Sequence, residues 1–165
     1  MAIDYLKNIA QQSPKGKALM GLDVGKKTIG VAVCDPGHSI ATPLLTVVRV
    51  KFGRDVEALK AVIREYEVGG FVIGLPLNMD GSEGPRCQSV RDFAAEFALR
   101  LGDDFGNDPW IALWDERLST ASVEDFVDEV VDIKKRRAKE KGILDKLAAQ
   151  HILQGALDYM DGLKE

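Results

Sequence analysis

The chain reads ALMGLDVGKKTIGVAVC from Ala18 to Cys34, and this stretch determines how the fold begins. Two apolar runs flank a Gly-Lys-Lys turn at 25–27, which is the pattern of a β-hairpin. A second turn at 35–38 leads into a third apolar run near 41–48. Three strands joined by short turns predict an antiparallel meander.

The remaining chain alternates between segments whose apolar residues have helical spacing and short apolar runs typical of strands. The predicted elements are helix 53–67, strand 70–74, helix 90–101, strand 110–114, helix 119–131 and helix 143–160. Strands that alternate with helices are typical of parallel pairing through right-handed crossovers. The sequence therefore predicts an α/β fold whose mixed five-stranded sheet, with three antiparallel strands and then two parallel ones, is flanked by helices.

Length and composition indicate an ordinary globular protein. The 165 residues suit one domain, which we predict at 17–165 behind an N-terminal arm at 1–16. No apolar run approaches the ~18 residues of a membrane span, and the N-terminus lacks a signal peptide's apolar stretch. Cys34 and Cys87 form no CxxC pair, which argues against a zinc site or a disulfide framework. We expect a cytoplasmic protein without a membrane partner.

Three carboxylates occupy unusual positions. Asp23 interrupts an apolar strand, where burying a charge is costly unless it is paired or holds a metal. Asp115 and Glu116 follow the fifth strand, at the end where open α/β sheets bind ligands. Asp145 shares the predicted core face of the last helix with Ala149. Turn formation, helix capping and the helix dipole remain ordinary explanations for each acid alone.

Taken together, these acids suggest a metal site. Clustered carboxylates repel one another, so they share protons or hold cations. Oxygen ligands with no histidine nearby favour Mg²⁺ or Mn²⁺ over zinc. Two such ions about 4 Å apart can activate a water and stabilise the leaving oxygen of a phosphodiester. The pattern favours a metal-dependent nuclease.

Four motifs resemble those of the YqgF/RuvX family. In chain order they are GLDVG at 21–25 with Gly30, GLP at 74–76 with Gly81, DERLS at 115–119, and DKLAA at 145–149. The resemblance covers nearly the whole chain outside the arm. It implies a ribonuclease H-like fold and assigns catalysis and two bound ions to Asp23, Glu116 and Asp145. It also implies kinship with RuvC-type Holliday junction resolvases and with nucleases that mature the 5′ end of 16S ribosomal RNA.

Basic residues near these acids are candidates for substrate binding. Lys26 and Lys27 follow Asp23, and Arg117 follows Glu116. A basic run leads into the helix of Asp145, with Lys134, Lys135, Arg136 and Arg137 as its first members. Such residues can contact phosphates, although a solvated turn or charge run is an equally ordinary explanation. The glycine-rich loop 75–85, which leads to Arg86, is a candidate to close over substrate.

Several functions remain open at this point. A nuclease for pre-16S ribosomal RNA could act as a monomer, with ribosomal particles as further partners. A resolvase acting on four-way DNA would need a dimer. An ATP-binding module of the actin type also begins with an Asp-x-Gly hairpin, but it needs two such domains and 165 residues supply one. A non-catalytic RNA- or ribosome-binding factor could use the same basic residues.

Overall fold

Six strands form one mixed sheet in a computed structural model that describes residues 3–106, 108–116 and 141–163. The strands are β1 (Ile3–Tyr5), β2 (Ala18–Val24), β3 (Thr28–Cys34), β4 (Ala41–Val48), β5 (Val68–Leu75) and β6 (Trp110–Asp115). Their order across the sheet is β1-β6-β5-β2-β3-β4. β2, β3 and β4 pair antiparallel, whereas β2, β5, β6 and β1 run parallel. The predicted meander and the parallel half are both confirmed.

The described residues form four helices, three of which confirm the helices predicted at 53–67, 90–101 and 143–160, with the second beginning five residues earlier than predicted. They are α1 (Leu6–Ile9), α2 (Phe52–Tyr66), α3 (Pro85–Leu101) and α4 (Lys141–Gly162), with 3₁₀ turns at Ala10–Gln12 and Gly102–Phe105. α2 ends where Glu67 adopts a left-handed conformation at φ 52°. α3 begins with Pro85, whose missing N–H costs nothing at that position. The helix predicted at 119–131 lies outside the described residues.

The sheet has one strand more than the five predicted. Ile3 pairs with Ile111 and Tyr5 with Leu113, so β1 extends the parallel half at its outer edge. Three residues are too few to show a periodic pattern, and their partner lies more than a hundred positions away in sequence. The segment 1–16 therefore contributes to the sheet, while its division from a domain at 17–165 stays a prediction.

Alternation along the strands creates two apolar layers. Met20 and Leu22 face a layer formed with α2 and α3, whereas Leu19 faces a layer formed with α1 and α4. Trp110 and Trp114 lie in the second layer as core residues, with only 5% and 3% of their surfaces exposed. The sheet is thus covered on both faces. None of the helices described here is long and apolar enough to cross a membrane.

Candidate active site

Asp23 points to the α4 side of the sheet because of its place in β2. Leu19 and Asp23 are four residues apart and therefore project from the same face of the strand. Leu19 packs in the layer that contains α4, and Asp23 lies opposite Gly30 on β3. The carboxylate is partly buried at the carboxyl end of its strand.

A glycine lets the first turns of α4 approach this strand end. A Cβ atom on Gly30 would collide with the backbone carbonyl of Asp145. The Thr46 hydroxyl on β4 also donates a hydrogen bond of 2.5 Å to the carbonyl of Gly142. α4 is therefore seated directly on β3 and β4, and this close approach brings Asp145 to the neighbourhood of Asp23.

Glu116 reaches the same side of the sheet from β6. Trp114 faces the α4 layer, so alternation directs Asp115 away from it and Glu116 back towards it. A Glu116 carboxylate oxygen would lie only 2.5 Å from a Cβ atom on Gly74. Of the two acids in the DERLS motif, Glu116 is therefore the one on the side of Asp23 and Asp145.

The pKa values of Asp23 and Glu116 are raised because these carboxylates are partly buried and lie close to other acids. Burial, and then the negative charge of Asp145, raise the pKa of Asp23 to about 6. Burial, and then the charge of Asp23, raise the pKa of Glu116 to about 7. The Arg86 guanidinium lowers both pKa values without restoring either to its usual range. Asp23 thus interacts with each of the other two acids.

The carboxylate oxygens of these three acids are suitable ligands for a hard divalent cation, although the three side chains do not converge on one position. Within 3–106, 108–116 and 141–163, no three acidic, histidine or cysteine side chains converge closely enough to hold an ion. The Asp23 carboxylate is repelled by Asp145 and in turn repels Glu116, and bound cations would relieve this repulsion. Partly buried carboxylate oxygens are ligands that Mg²⁺ and Mn²⁺ accept. The residues therefore fit such ions in chemistry, with Asp23 as the shared member.

Arg86 is the residue whose importance the sequence did not reveal. It is exposed in the first turn of α3, where the glycine-rich loop ends. Its charge acts on both Asp23 and Glu116 although α3 covers the opposite face of the sheet. The Gly-Pro-Arg sequence at 84–86 predicts the start of a helix, but it does not predict which acids the first turn of that helix will lie close to.

The structure describes only part of the predicted substrate-binding set. Lys26 and Lys27 are exposed in the turn between β2 and β3, directly after the strand end that carries Asp23. Arg117 and the basic run at 134–137 lie outside the described residues.

Comparison with known proteins gives a consistent result. A family model described as "RuvX: Holliday junction resolvase" matches residues 17–159. A relative in Rhodospirillum centenum is 49% identical over 97% of this chain and 83% of its own length. Another, in Ruegeria pomeroyi, is 47% identical over 99% of this chain and 100% of its own length. Both carry the name "Putative pre-16S rRNA nuclease".

Two solved structures share the fold. Thermus thermophilus RuvC, solved with a Holliday junction substrate, is similar at a TM-score of 0.55 and 10% identity, over 90% of this chain and 96% of that one. The yeast mitochondrial Holliday junction resolvase Ydc2 gives a TM-score of 0.56 at 13% identity, over 96% and 86% of the two chains. The fold is thus ribonuclease H-like, as the motifs implied.

Proposed function

Because this chain belongs to the RuvX family, we propose that it is a metal-dependent nuclease that cleaves phosphodiester bonds during 5′-end maturation of pre-16S ribosomal RNA. The observation that carries the proposal is the electrostatic interaction of Asp23 with both Asp145 and Glu116 at one end of the sheet. Their mutual repulsion makes the site costly for a purely structural role and suitable for cations.

We assign the following roles. Asp23, which neighbours both other acids, would contact two ions, and Glu116 and Asp145 would each complete the ligands of one. Mg²⁺ or Mn²⁺ bound there supplies activation of water and stabilisation of the leaving oxygen. Arg86 and Lys26 would hold phosphate oxygens at the sheet end, where their positive charges offset the negative charges of the substrate. Arg117 and Lys134, Lys135, Arg136 and Arg137 are proposed as further phosphate contacts.

Two features favour RNA as the substrate. The relatives quoted above, which match nearly all of this chain, are named for pre-16S rRNA. Processing of one strand would also require only a single site, which one copy of this chain would supply. We accordingly propose a cytoplasmic protein that meets its RNA in ribosomal particles.

Resolution of four-way DNA is the second candidate. It is favoured by the description of the family and by the fold shared with two resolvases. This function would need two copies of the site acting on opposed strands, and therefore a dimer.

Cleavage of matched substrates tests the proposal and separates the two candidates. A labelled pre-16S fragment and a labelled four-way DNA junction would be incubated with Mg²⁺ or Mn²⁺ and with wild type, Asp23→Asn or Asp161→Asn. Asp161 is exposed near the far end of α4 and serves as the control for the same chemical change. We expect divalent-dependent cleavage of the RNA by wild type and Asp161→Asn, reduced at least 100-fold in Asp23→Asn.

Each other outcome has a definite meaning. Cleavage of the junction alone would replace the RNA proposal with the resolvase. Intact RNA in every reaction, together with tight RNA binding, would favour the non-catalytic binding factor. Full cleavage by Asp23→Asn would overturn the mechanism.

A further inference from the structure

A cleft of about 590 Å³ is lined by Lys26 and Arg86, which the proposed chemistry uses, and by none of the three carboxylates. Its walls come from the β2–β3 turn at 24–26, the connection from β4 to α2 at 49–52, and the first turns of α3 from Arg86 to Phe93. It lies on the α2 and α3 side of the sheet, and Val24, the residue after Asp23, lines it at the carboxyl end of β2. Arg86 stands where the two spaces join, since it lines the cleft and acts on Asp23 and Glu116.

The walls of this cleft are held in place by two charged side chains. Arg49 donates a hydrogen bond of 2.6 Å to the carbonyl of Gly25, and its guanidinium lies 5.6 Å from the centre of the Phe93 ring. Asp55 is 3% exposed and accepts a 3.1 Å hydrogen bond from the backbone N–H of Val50. Arg49 and Asp55 therefore connect the walls of the cleft to one another.

The other charged residues that line the cleft are both basic and acidic. Lys26, Lys51 and Arg86 line the cleft, are exposed, and form no hydrogen bond or ion pair through their side chains within the described part of the chain. The acids Asp92 and Glu96 line it further along α3, about 9 and 15 Å beyond Arg86 at the rise of an α-helix. Lys26 and Arg86 attract phosphate at the end beside Asp23. Lys51 lies further along the cleft, because the adjoining Phe52 packs against Phe93 and Arg100.

The size and apolar surface of the cleft suit a base as well as a phosphate. Its volume falls in the usual range for sites that hold a small molecule. Val50 is 62% exposed at its rim, and Phe52 is half-buried in its wall. Apolar and aromatic surface of this kind packs against bases of any sequence.

We propose that this cleft is a single-nucleotide subsite that holds the RNA nucleotide next to the scissile phosphate, with Lys26 on the phosphate nearer the carboxylates and Lys51 on the phosphate at the far side of the nucleotide. The inference rests on the proposed function, because it is the carboxylate site that makes the neighbouring phosphate scissile. A free nucleotide offers the same chemistry, so the test has to distinguish a nucleotide within a strand from a free one.

Binding measurements in an Asp23→Asn background, which prevents cleavage, test the subsite. The probe is a labelled single-stranded RNA that spans the pre-16S cut site, and the comparison is Lys51→Gln against Arg64→Gln. Arg64 is exposed on α2, the helix that follows Lys51, but lies outside the cleft, so it controls for loss of one charge. We expect Lys51→Gln to weaken binding about three- to tenfold and to lower the slope of log K against log salt by about 0.7, while Arg64→Gln changes neither.

Disulfide cross-linking then locates the nucleotide. Cys34 and Cys87 are buried and are the only cysteines in the chain, so Val50→Cys provides a single accessible thiol. RNAs that carry a tethered activated disulfide at successive positions should cross-link best at a nucleotide adjoining the cut. Leu99→Cys, which is 71% exposed near the other end of α3, should show no such preference.

The outcomes separate this inference from the proposed function. If Lys51→Gln binds RNA as tightly as its parent, or if cross-linking ignores the position of the cut, the subsite is wrong even when wild type cleaves. If the four nucleoside 5′-monophosphates bind at micromolar concentration and need Lys51, the cleft is a free-nucleotide site instead. If Lys51-dependent binding persists but wild type cleaves nothing, the subsite stands and the nuclease proposal fails.

Discussion

At the scale of single residues, Asp23 is held in an unfavourable electrostatic environment. Burial and the charge of Asp145 raise its pKa, and Asp23 in turn raises the pKa of Glu116. Arg86 offsets only part of this repulsion. Without cations the cluster therefore opposes folding at neutral pH, which is the cost expected of a site arranged for function.

This repulsion predicts that Asp23→Asn stabilises the ion-free protein. The pKa of Asp23 is about 6 in the folded chain against a usual 3.8, so the folded state binds more protons than the unfolded state. Its destabilising effect is absent below about pH 4, grows between about pH 4 and pH 6, and is complete above about pH 6. We expect the variant to gain about 1–2 kcal/mol near pH 8 and almost nothing near pH 4.

Urea unfolding in EDTA at both pH values measures this difference. Asp161→Asn controls for loss of one exposed charge and should match wild type throughout. A stability gap between Asp23→Asn and wild type that does not change with pH would show that Asp23 is not perturbed in this way.

At the scale of elements, the seating of α4 on the meander decides whether the site forms. The helix approaches β3 so closely that Gly30 leaves no room for a side chain beneath Asp145. Gln150 and Gln154 add hydrogen bonds to the carbonyl and the N–H of Ala41 at the start of β4. Asp145 is therefore positioned by packing along the whole helix.

Gly30→Ala should separate α4 from β3. The added methyl group meets backbone that cannot rotate away, so we expect a loss of about 2–4 kcal/mol in the free energy of unfolding and a cleavage rate at least tenfold lower. Gly142→Ala is the matched control, because its Cβ atom would lie at an ordinary 3.5 Å from Thr46. Urea unfolding and RNA cleavage check both variants, and equal behaviour of the two would refute the close seating.

Sequence periodicity predicted most elements because their patterns are local. β2 to β6, α2, α3 and α4 each carry several turns or alternations of apolar residues, and Ala149 lies on the core face as predicted. β1 carries only three residues, and its strand character depends on a distant partner. The same limit applies to Gly30 and Gly74, whose need for space comes from α4 and Glu116 across the fold.

The candidate site was predictable to a similar degree. A carboxylate within an apolar strand is visible in the sequence, and the family motifs added Glu116 and Asp145. Alternation from Trp114 explains why Glu116, and not Asp115, shares the side of Asp23. Arg86 and the cleft could not be found in this way, because they depend on where α3 begins relative to the end of β2.

At the scale of the whole molecule, the N-terminal segment is part of the folded core. β1 pairs with β6, and Leu6 on α1 is 1% exposed in the layer that also contains α4. The indole N–H of Trp110 donates a 2.9 Å hydrogen bond to the carbonyl of Ile9. The layer that supports Asp23 and Glu116 is thus closed by residues from both ends of the described chain.

Leu6→Ala should therefore destabilise the entire fold. Truncating a fully buried leucine costs about 2–4 kcal/mol, and we expect one cooperative urea transition shifted to lower concentration. Lys7→Ala, at an exposed neighbouring position, should change the free energy of unfolding by less than about 0.5 kcal/mol. Separate unfolding of the N-terminal segment, with the main transition unmoved, would show that the segment is a dispensable arm.

The most direct test of the central claim is to count bound Mn²⁺ by electron paramagnetic resonance in wild type and Asp23→Asn at pH 8. We predict two ions for each wild-type chain, because Asp23 would be a ligand of one ion together with Glu116 and of another together with Asp145. We predict at most one weakly bound ion in the variant. Asp161→Asn should bind as wild type does. Equal Mn²⁺ binding by wild type and Asp23→Asn would contradict the assignment of these carboxylates to a catalytic metal site.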